Sequence, residues 1–203
     1  AMHRDRSKIL ADSIRRLLRR GASSHLRKIV RKTHAADLAA VFQTLSPAHQ
    51  QRLFETIESR EQKGVVLSEL DRDTFLDLVE DLDLDELVRI LETMPNDDVT
   101  DLIGQLPEAR SSAVLEKMKK EHSAQVEGLL SYRDDTAGGI MVTDFIALRE
   151  DCTAREAIAS LQKEYQDVEM PFYLYAVDEN GRLVGVSSLR QLVLVPPETP
   201  LKA

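Results

Sequence analysis

Between residues 34 and 120 one apolar arrangement recurs: a hydrophobic residue, then others three, four and seven positions further on. It appears as Leu38, Val41, Phe42, Leu45; as Phe75, Leu78, Val79, Leu82; as Leu87, Ile90, Leu91, Met94; and as Val99, Leu102, Ile103, Leu106. At 3.6 residues per turn each set falls on one side of a helix, so each predicts a short amphipathic helix. Partial copies occur at Leu53, Phe54, Ile57 and at Val114, Leu115, Met118. Prolines punctuate the repeats, with Pro47, Pro95 and Pro107 at or before a helix start, where a missing N–H costs nothing. Asn96 is expected to cap the helix that follows it. A short helix with one apolar face cannot bury that face alone, so consecutive pairs are expected to stack into a right-handed superhelix or a compact solenoid.

From residue 145 onward the pattern is different. Phe145 to Leu148 is strand-like, and Cys152 to Leu161 reads as a helix, with Thr153 as N-cap, Glu156 three residues later and Ala157, Ile158 and Leu161 on one face. Ala176-Val177 and Leu183-Val184-Gly185-Val186 flank Asp178-Glu179-Asn180-Gly181, whose Asn-Gly pair favours the left-handed geometry of a tight hairpin. Ser188 is placed as the N-cap of a last helix. The expected fold is therefore an all-α, solenoid-like superhelical region followed by an α/β module in the order strand, helix, strand, strand, helix.

Composition narrows the chemistry. The 203 residues are 42% hydrophobic and 31% charged, which suits a globular chain, and no apolar run approaches the roughly 18 to 20 residues of a membrane-spanning helix. Cys152 is the only cysteine, which excludes a disulfide framework and a cysteine-based zinc site. The five histidines lack zinc-hydrolase spacing, and no phosphate-cradling glycine loop or nucleophile elbow occurs, so nothing supports an enzyme. Charge is uneven. Residues 1–32 hold eleven Lys and Arg against two Asp, whereas the remainder holds sixteen against thirty-three acids, giving −8 overall. Such a basic arm is attracted to an anionic surface: the inner membrane leaflet, RNA or the acidic body itself. Ile9, Ile14, Leu17 and Leu18 interleave with its cations at near-helical spacing, which fits a first helix packed on the next or one lying on a membrane. A lack of interleaved aromatics argues against nucleic acid. Ala1 before Met2 reads as a cloning scar.

The module from residue 145, ending in Leu183-Val184-Gly185-Val186-Ser187-Ser188-Leu189-Arg190-Gln191-Leu192, resembles a cystathionine-beta-synthase (CBS) domain. Before it, Tyr132, a polar run, Thr136-Ala137-Gly138 and Met141 resemble the junction between the N domain and the first CBS domain of MgtE magnesium transporters. His34-Ala35-Ala36-Asp37-Leu38-Ala39 is similar to that family's His-Pro-Ala-Asp-Leu-Ala opening, with Ala35 in place of proline. The likeness runs roughly from residue 33 to 195. It divides the chain into a basic helical arm (1–32), an N-type superhelical domain (33–131), a CBS domain (132–195) and a cut linker (196–203).

Twelve acids lie between Asp71 and Asp101 against Arg72 and Arg89. Hard carboxylate oxygens suit Mg²⁺, which keeps most of its waters and needs one or two carboxylates. Asp97 and Asp101, four apart, are expected to face outward opposite the apolar stripe, although acids in a first turn are also favoured by the helix dipole alone. Met94 to Leu102 resembles the family's Met-x-x-Asp-Asp-x-x-Asp-Leu motif, which implies Mg²⁺ binding by Asp97, Asp98 and Asp101. The resemblance implies a cytosolic Mg²⁺ sensor on the inner face of the plasma membrane, whose ions bridge acids on facing domains and close the pore of a transmembrane domain outside this chain. It also implies homodimerisation through residues 145–192. In the adenosine-binding pattern of CBS domains, Gly185, Val186, Ser187 and Ser188 match, and Gln191 replaces an aspartate that takes the ribose hydroxyls. Ser188 and Gln191 are thus the candidate nucleotide contacts. Two other readings are a stand-alone CBS protein that senses nucleotide and a helical scaffold similar to the flagellar rotor switch protein.

Overall fold

The structure, a computed structural model, describes the chain apart from Ala1, Asp134, residues 165–171 and Ala203, and apart from the side chains of residues 2–7 and Glu164. One acid of the junction motif, the residue taken as a cloning scar and part of the expected pairing segment 145–192 thus lie outside the described residues. Two compact units are present, Ala1–Met141 and Val142–Ala203.

The first unit is a run of short helices: α1 (Met2–Arg20), α2 (Ser23–Val30), α3 (Ala35–Phe42), α4 (Pro47–Thr56), α5 (Arg60–Ser68), α6 (Arg72–Glu80), α7 (Leu84–Leu91), α8 (Asn96–Gln105), α9 (Glu108–Lys117) and α10 (Lys120–Leu130). Helices pack mainly on the one two further along, α1 on α3, α3 on α5, α5 on α7 and α7 on α9, with α2 on α4, α4 on α6 and α8 on α10. That skipping pattern is the signature of a solenoid, and one continuous core runs through it from Ala11 to Val126.

The recurring apolar quartet explains both the helices and their ends. Its first three members are buried on the helix, while the fourth lies just beyond the helix end. There Leu45, Leu82, Met94 and Leu106 each donate a backbone N–H to the carbonyl three residues earlier, at 3.0 to 3.3 Å, a tightened 3₁₀ last turn. Ile57 and Leu70 do the same. The fourth residue thus ends the helix and plugs its lower edge. Arg110 donates to the carbonyls of Val79 and Leu82, satisfying the exposed end of α6.

Three helix starts in this unit are capped by side chains, with Ser59, Asp71 and Asp83 accepting backbone N–H groups of α5, α6 and α7. Asn96 is a correction. Pro95 holds the cap position with its fixed φ of −56°, and Asn96 becomes the first helical residue, buried, its amide donating to Gln125 of α10. The basic segment 1–32, expected as an arm, is continuous with the helical body: Ile14, Leu18, Leu26 and Val30 belong to the common core. Of the four apolar residues expected to interleave there, Ile9 is exposed. Gly21, at φ +66°, joins α1 to α2 in a left-handed turn with Ala22 N–H bonded to Leu17 and Gly21 N–H to Leu18.

The second unit has the expected order: β1 (Ala147–Arg149), α11 (Ala154–Glu164), β2 (Tyr173–Val177), β3 (Leu183–Ser188) and α12 (Leu189–Leu194). The sheet order is β1-β2-β3, β1 parallel and β3 antiparallel to β2. Thr153 and Glu156 exchange the reciprocal bonds of a capping box. Two expectations change. The hairpin is wider than a two-residue turn: Gly181 N–H bonds to the Asp178 carbonyl, Asp178 N–H bonds to the Arg182 carbonyl, and Gly181 alone is left-handed, at φ +75°. Asp178 Oδ1 stiffens the loop by accepting from the N–H groups of Asn180 and Arg182, which spares Asn180 the strained conformation. The segment from 196, expected as a linker, returns to the unit: Thr199, Pro197 and Cys152 carbonyls accept from Ala154, Arg155 and Leu201, and Arg155 pairs with Glu198 at 2.7 Å. Backbone groups of residues 150–155 that the sheet leaves unpaired find their partners there.

Helix α5 escaped the apolar pattern because Gly64 holds a buried position in it. A Cβ at Gly64 would lie 2.6 Å from Cγ of Met94, so a side chain there requires the Met94 side chain to move. Gly64→Val is expected to lower stability by about 1–3 kcal/mol through overpacking, read as a lower urea midpoint with unchanged slope, and Gly64→Val with Met94→Ala is expected to lose less than the sum of the two. An additive double variant would disprove the contact.

Candidate metal and nucleotide sites

Val99, Leu102 and Ile103 fix the orientation of α8 by facing the core. Asp97 and Asp101, one turn apart, then share an edge. The structure departs from an outward pair: Asp101 is exposed but Asp97 is half-buried, and its Oδ1 is buried without a hydrogen-bond partner. Both line a shallow cavity of about 90 Å³ with Thr100, Leu129 and the stretch Gly138, Gly139, Ile140 and Met141. Asp98 is half-buried in the first turn of α8 beside Asp97 and is not part of that wall.

The wall is built by the junction motif. Successive turns coil it back, with Tyr132 N–H bonded to Leu129, Thr136 N–H to Arg133 and Gly139 N–H to Thr136. The Thr136 hydroxyl also donates to the Arg133 carbonyl. A Cβ at Gly138 would meet the Tyr132 ring at 2.4 Å, so the backbone approaches that ring closely where glycine stands. Thr100, Leu129 and Gly138–Met141 were not anticipated as site residues. Gly138 to Met141 belong to the stretch read as a junction motif, which says nothing about what it faces, and Thr100 and Leu129 carried no signal.

A buried carboxylate oxygen without a donor is costly unless a cation or water meets it. The cavity has room for several waters. Among the described residues no three His, Cys, Asp or Glu side chains converge as a metal cage. Two neighbouring carboxylates with water space suit a hard cation that keeps part of its hydration, as Mg²⁺ does, and do not suit tetrahedral Zn²⁺.

Five other acids of the Asp71–Asp101 stretch have structural partners. Asp71 and Asp83 are caps, Asp85 pairs with Lys117, and Glu92 accepts from the Lys119 N–H. Glu86 meets Arg60, Lys63 and Arg89 at 3.3, 3.5 and 3.1 Å. Burial pushes the Glu86 carboxyl up, but hydrogen bonds from Arg60 and Arg89 and the charges of Lys63 and Arg60 outweigh it and hold it below the usual glutamate range.

At the β3–α12 junction, Ser188 and Gln191 are brought together. The Ser188 N–H and hydroxyl donate to Gln191 Oε1 at 2.8 and 2.9 Å, and Gln191 N–H donates to Ser188 Oγ at 3.2 Å. Both candidate nucleotide contacts thus close a capping box on α12.

Comparison with known proteins agrees with the two units. Residues 33–135 match the MgtE intracellular N domain family and residues 137–198 the CBS domain family. A 76-residue stretch, 37% of the chain, is 45% identical to the magnesium transporter MgtE of Thermus thermophilus, and a 79-residue stretch, 39% of the chain, is 38% identical to that of Enterococcus faecalis. Each stretch spans 17% of the relative's length. The fold is similar to that of the cytosolic domain of the Mg²⁺ channel MgtE solved in complex with ATP, with a TM-score of 0.87 and 30% identity over 95% of this chain and 78% of that one. The soluble part of a magnesium transporter shares the fold at a TM-score of 0.84 and 24% identity, over 97% of this chain and 77% of that one.

Because the Glu86 carboxyl is held below its unfolded value near 4.3, its contribution is present above that pH and is lost as pH falls through the folded value. The urea midpoint is therefore expected to fall on acidification below about pH 5, and Glu86→Gln is expected to flatten that acid limb while lowering the midpoint at neutral pH. Superimposable acid limbs for the two proteins would rule out this role.

Proposed function

The chain belongs to the MgtE family, and from that premise we propose that it is the Mg²⁺-sensing regulatory region of a magnesium channel or transporter, facing the cytosol and acting by binding, without catalysis. The observation that carries this is the half-buried Asp97, with an unpartnered carboxylate oxygen, beside Asp101 and the shallow cavity they line. Asp97 and Asp101 are the principal ligands and Asp98 a neighbour that adds field. When Mg²⁺ is plentiful, ions on this edge offset the repulsion of its carboxylates, and of carboxylates brought to it from elsewhere in the full protein, and favour the closed state of the pore. When Mg²⁺ is scarce the repulsion returns and the open state gains population. Each ion shifts the balance by its differential affinity for the two states, so several weak sites together give a steep response.

An adenosine nucleotide at the CBS unit is a second reading, supported by the ATP complex of the 30% identical channel domain. In this chain a ribose diol would meet Ser188 Oγ and the amide of Gln191 while the capping box competes for them, so weaker binding is expected than a carboxylate would give. The CBS unit also leaves Phe172, Tyr173, Leu183, Val184 and Val186 exposed, with relative exposures of 50 to 61%, around a small core of Ile146, Ala154, Ala157, Leu174 and Leu192. We assign homodimerisation to residues 145–192 on that basis.

Two measurements follow. Millimolar Mg²⁺ is expected to raise the unfolding temperature relative to chelator, by the equivalent of about 2.7 kcal/mol at a hundredfold excess over Kd. Asp97→Asn with Asp101→Asn is expected to abolish most of that rise, and ATP to give a smaller one. A rise unchanged in the double variant would remove the site. Light scattering is expected to report a dimer at high protein concentration and a monomer for Val184→Glu with Val186→Glu. A monomer at every concentration would contradict the assigned interface.

A further inference from the structure

The first two helices display charge that neither the core nor the ion-sensing edge uses. Arg15 is occupied by Asp12 and the Thr44 carbonyl, and Arg27 pairs with Glu58 at 3.6 Å. Arg16, Arg19 and Arg20 on α1, Lys28 on α2, and Arg31 and Lys32 just past the end of α2 are exposed and make no ion pair among the described residues. Their carriers are packed on the core. Ile14 and Leu18 of α1 and Leu26 and Val30 of α2 are buried in the common core, and the left-handed turn at Gly21 joins the two helices.

We propose that the exposed basic side of α1 and α2 docks on a bilayer surface bearing anionic phospholipid headgroups, by charge alone and without insertion. The choice of a bilayer rests on the reading above that the chain serves a membrane transporter. With Ile14, Leu18, Leu26 and Val30 buried, Ile9 is left as the exposed large apolar side chain described on these helices, too little for the wedge an inserting amphipathic helix needs, so the contact is with headgroup phosphates only. Residues 1–32 contain no Phe, Tyr or Trp, and so offer single-stranded nucleic acid no stacking platform. The rest of the chain carries seventeen more acids than Lys and Arg. An anionic bilayer repels that part, so the charge asymmetry itself orients the first unit with α1 and α2 toward the membrane. Salt at about 0.1 M screens charges beyond roughly 10 Å, which leaves the near basic side engaged and mutes the body's net charge.

The test is sedimentation of the chain with vesicles in chelator, so that its result is independent of Mg²⁺ binding at α8. Binding is expected to phosphatidylcholine vesicles containing about 30% phosphatidylglycerol and not to phosphatidylcholine alone, and to vanish at about 0.5 M salt. At about fivefold per cation, Arg16→Gln, Arg19→Gln and Arg20→Gln together are expected to weaken it about 100-fold. The same positions as Lys are expected to retain it, and Lys28→Gln with Lys32→Gln to weaken it about 25-fold with an unchanged melting temperature. Equal binding to neutral vesicles, or binding that survives high salt, would overturn the proposal by pointing to insertion. Absence of vesicle binding, whether or not the chain instead binds an RNA oligonucleotide or self-associates in a salt-sensitive way, would also overturn it.

Discussion

Short helices that cannot bury their own apolar stripes are the constraint on which the first unit depends. Each helix exposes one hydrophobic side and gains by placing it against the helix two positions along, so the stack grows by repetition around a common core. The price is many helix ends. Every end leaves backbone groups unsatisfied, and the chain meets them in a regular way: a terminal 3₁₀ turn closed by the fourth apolar residue, then proline or a capping side chain at the next start.

That constraint accounts for part of the chain's acidity. A chain cut into many helices has many N-termini, each with a partial positive charge that favours carboxylates. Asp71 and Asp83 serve in that way, and Glu86 anchors Arg60, Lys63 and Arg89 across α5 and α7. The acidic stretch thus combines scaffolding carboxylates with those of the proposed ion site. Asp97 separates itself by burial of an oxygen that no protein donor meets, at the one edge of α8 where the junction segment closes a cavity.

The CBS unit shows the opposite economy. Its buried cluster is small and large apolar side chains remain exposed, which is the basis of the proposed pairing. Its polar motif is spent locally, since Ser188 and Gln191 hold the start of α12. A pattern associated with ligand binding and a helix cap use the same residues here, and geometry decides how the two uses compete.

Periodicity alone determined the helices at Leu38–Leu45, Phe75–Leu82, Leu87–Met94 and Val99–Leu106, because their burial is one-sided and the helical repeat writes it into the spacing. It could not reveal α5, where a glycine packed under the Met94 side chain leaves no apolar side chain to count. The order of the second unit was equally plain, from its strand runs and the Thr153 and Ser188 caps, while the return of residues 197–202 was not, since their partners lie some 45 positions away in sequence. The acids at 97 and 101 were visible as a pair. That one has a buried, unmet oxygen and that Gly138 to Met141 supplies the facing wall are matters of tertiary packing, because burial and solvent access belong to the folded neighbours of a residue and not to the residue itself.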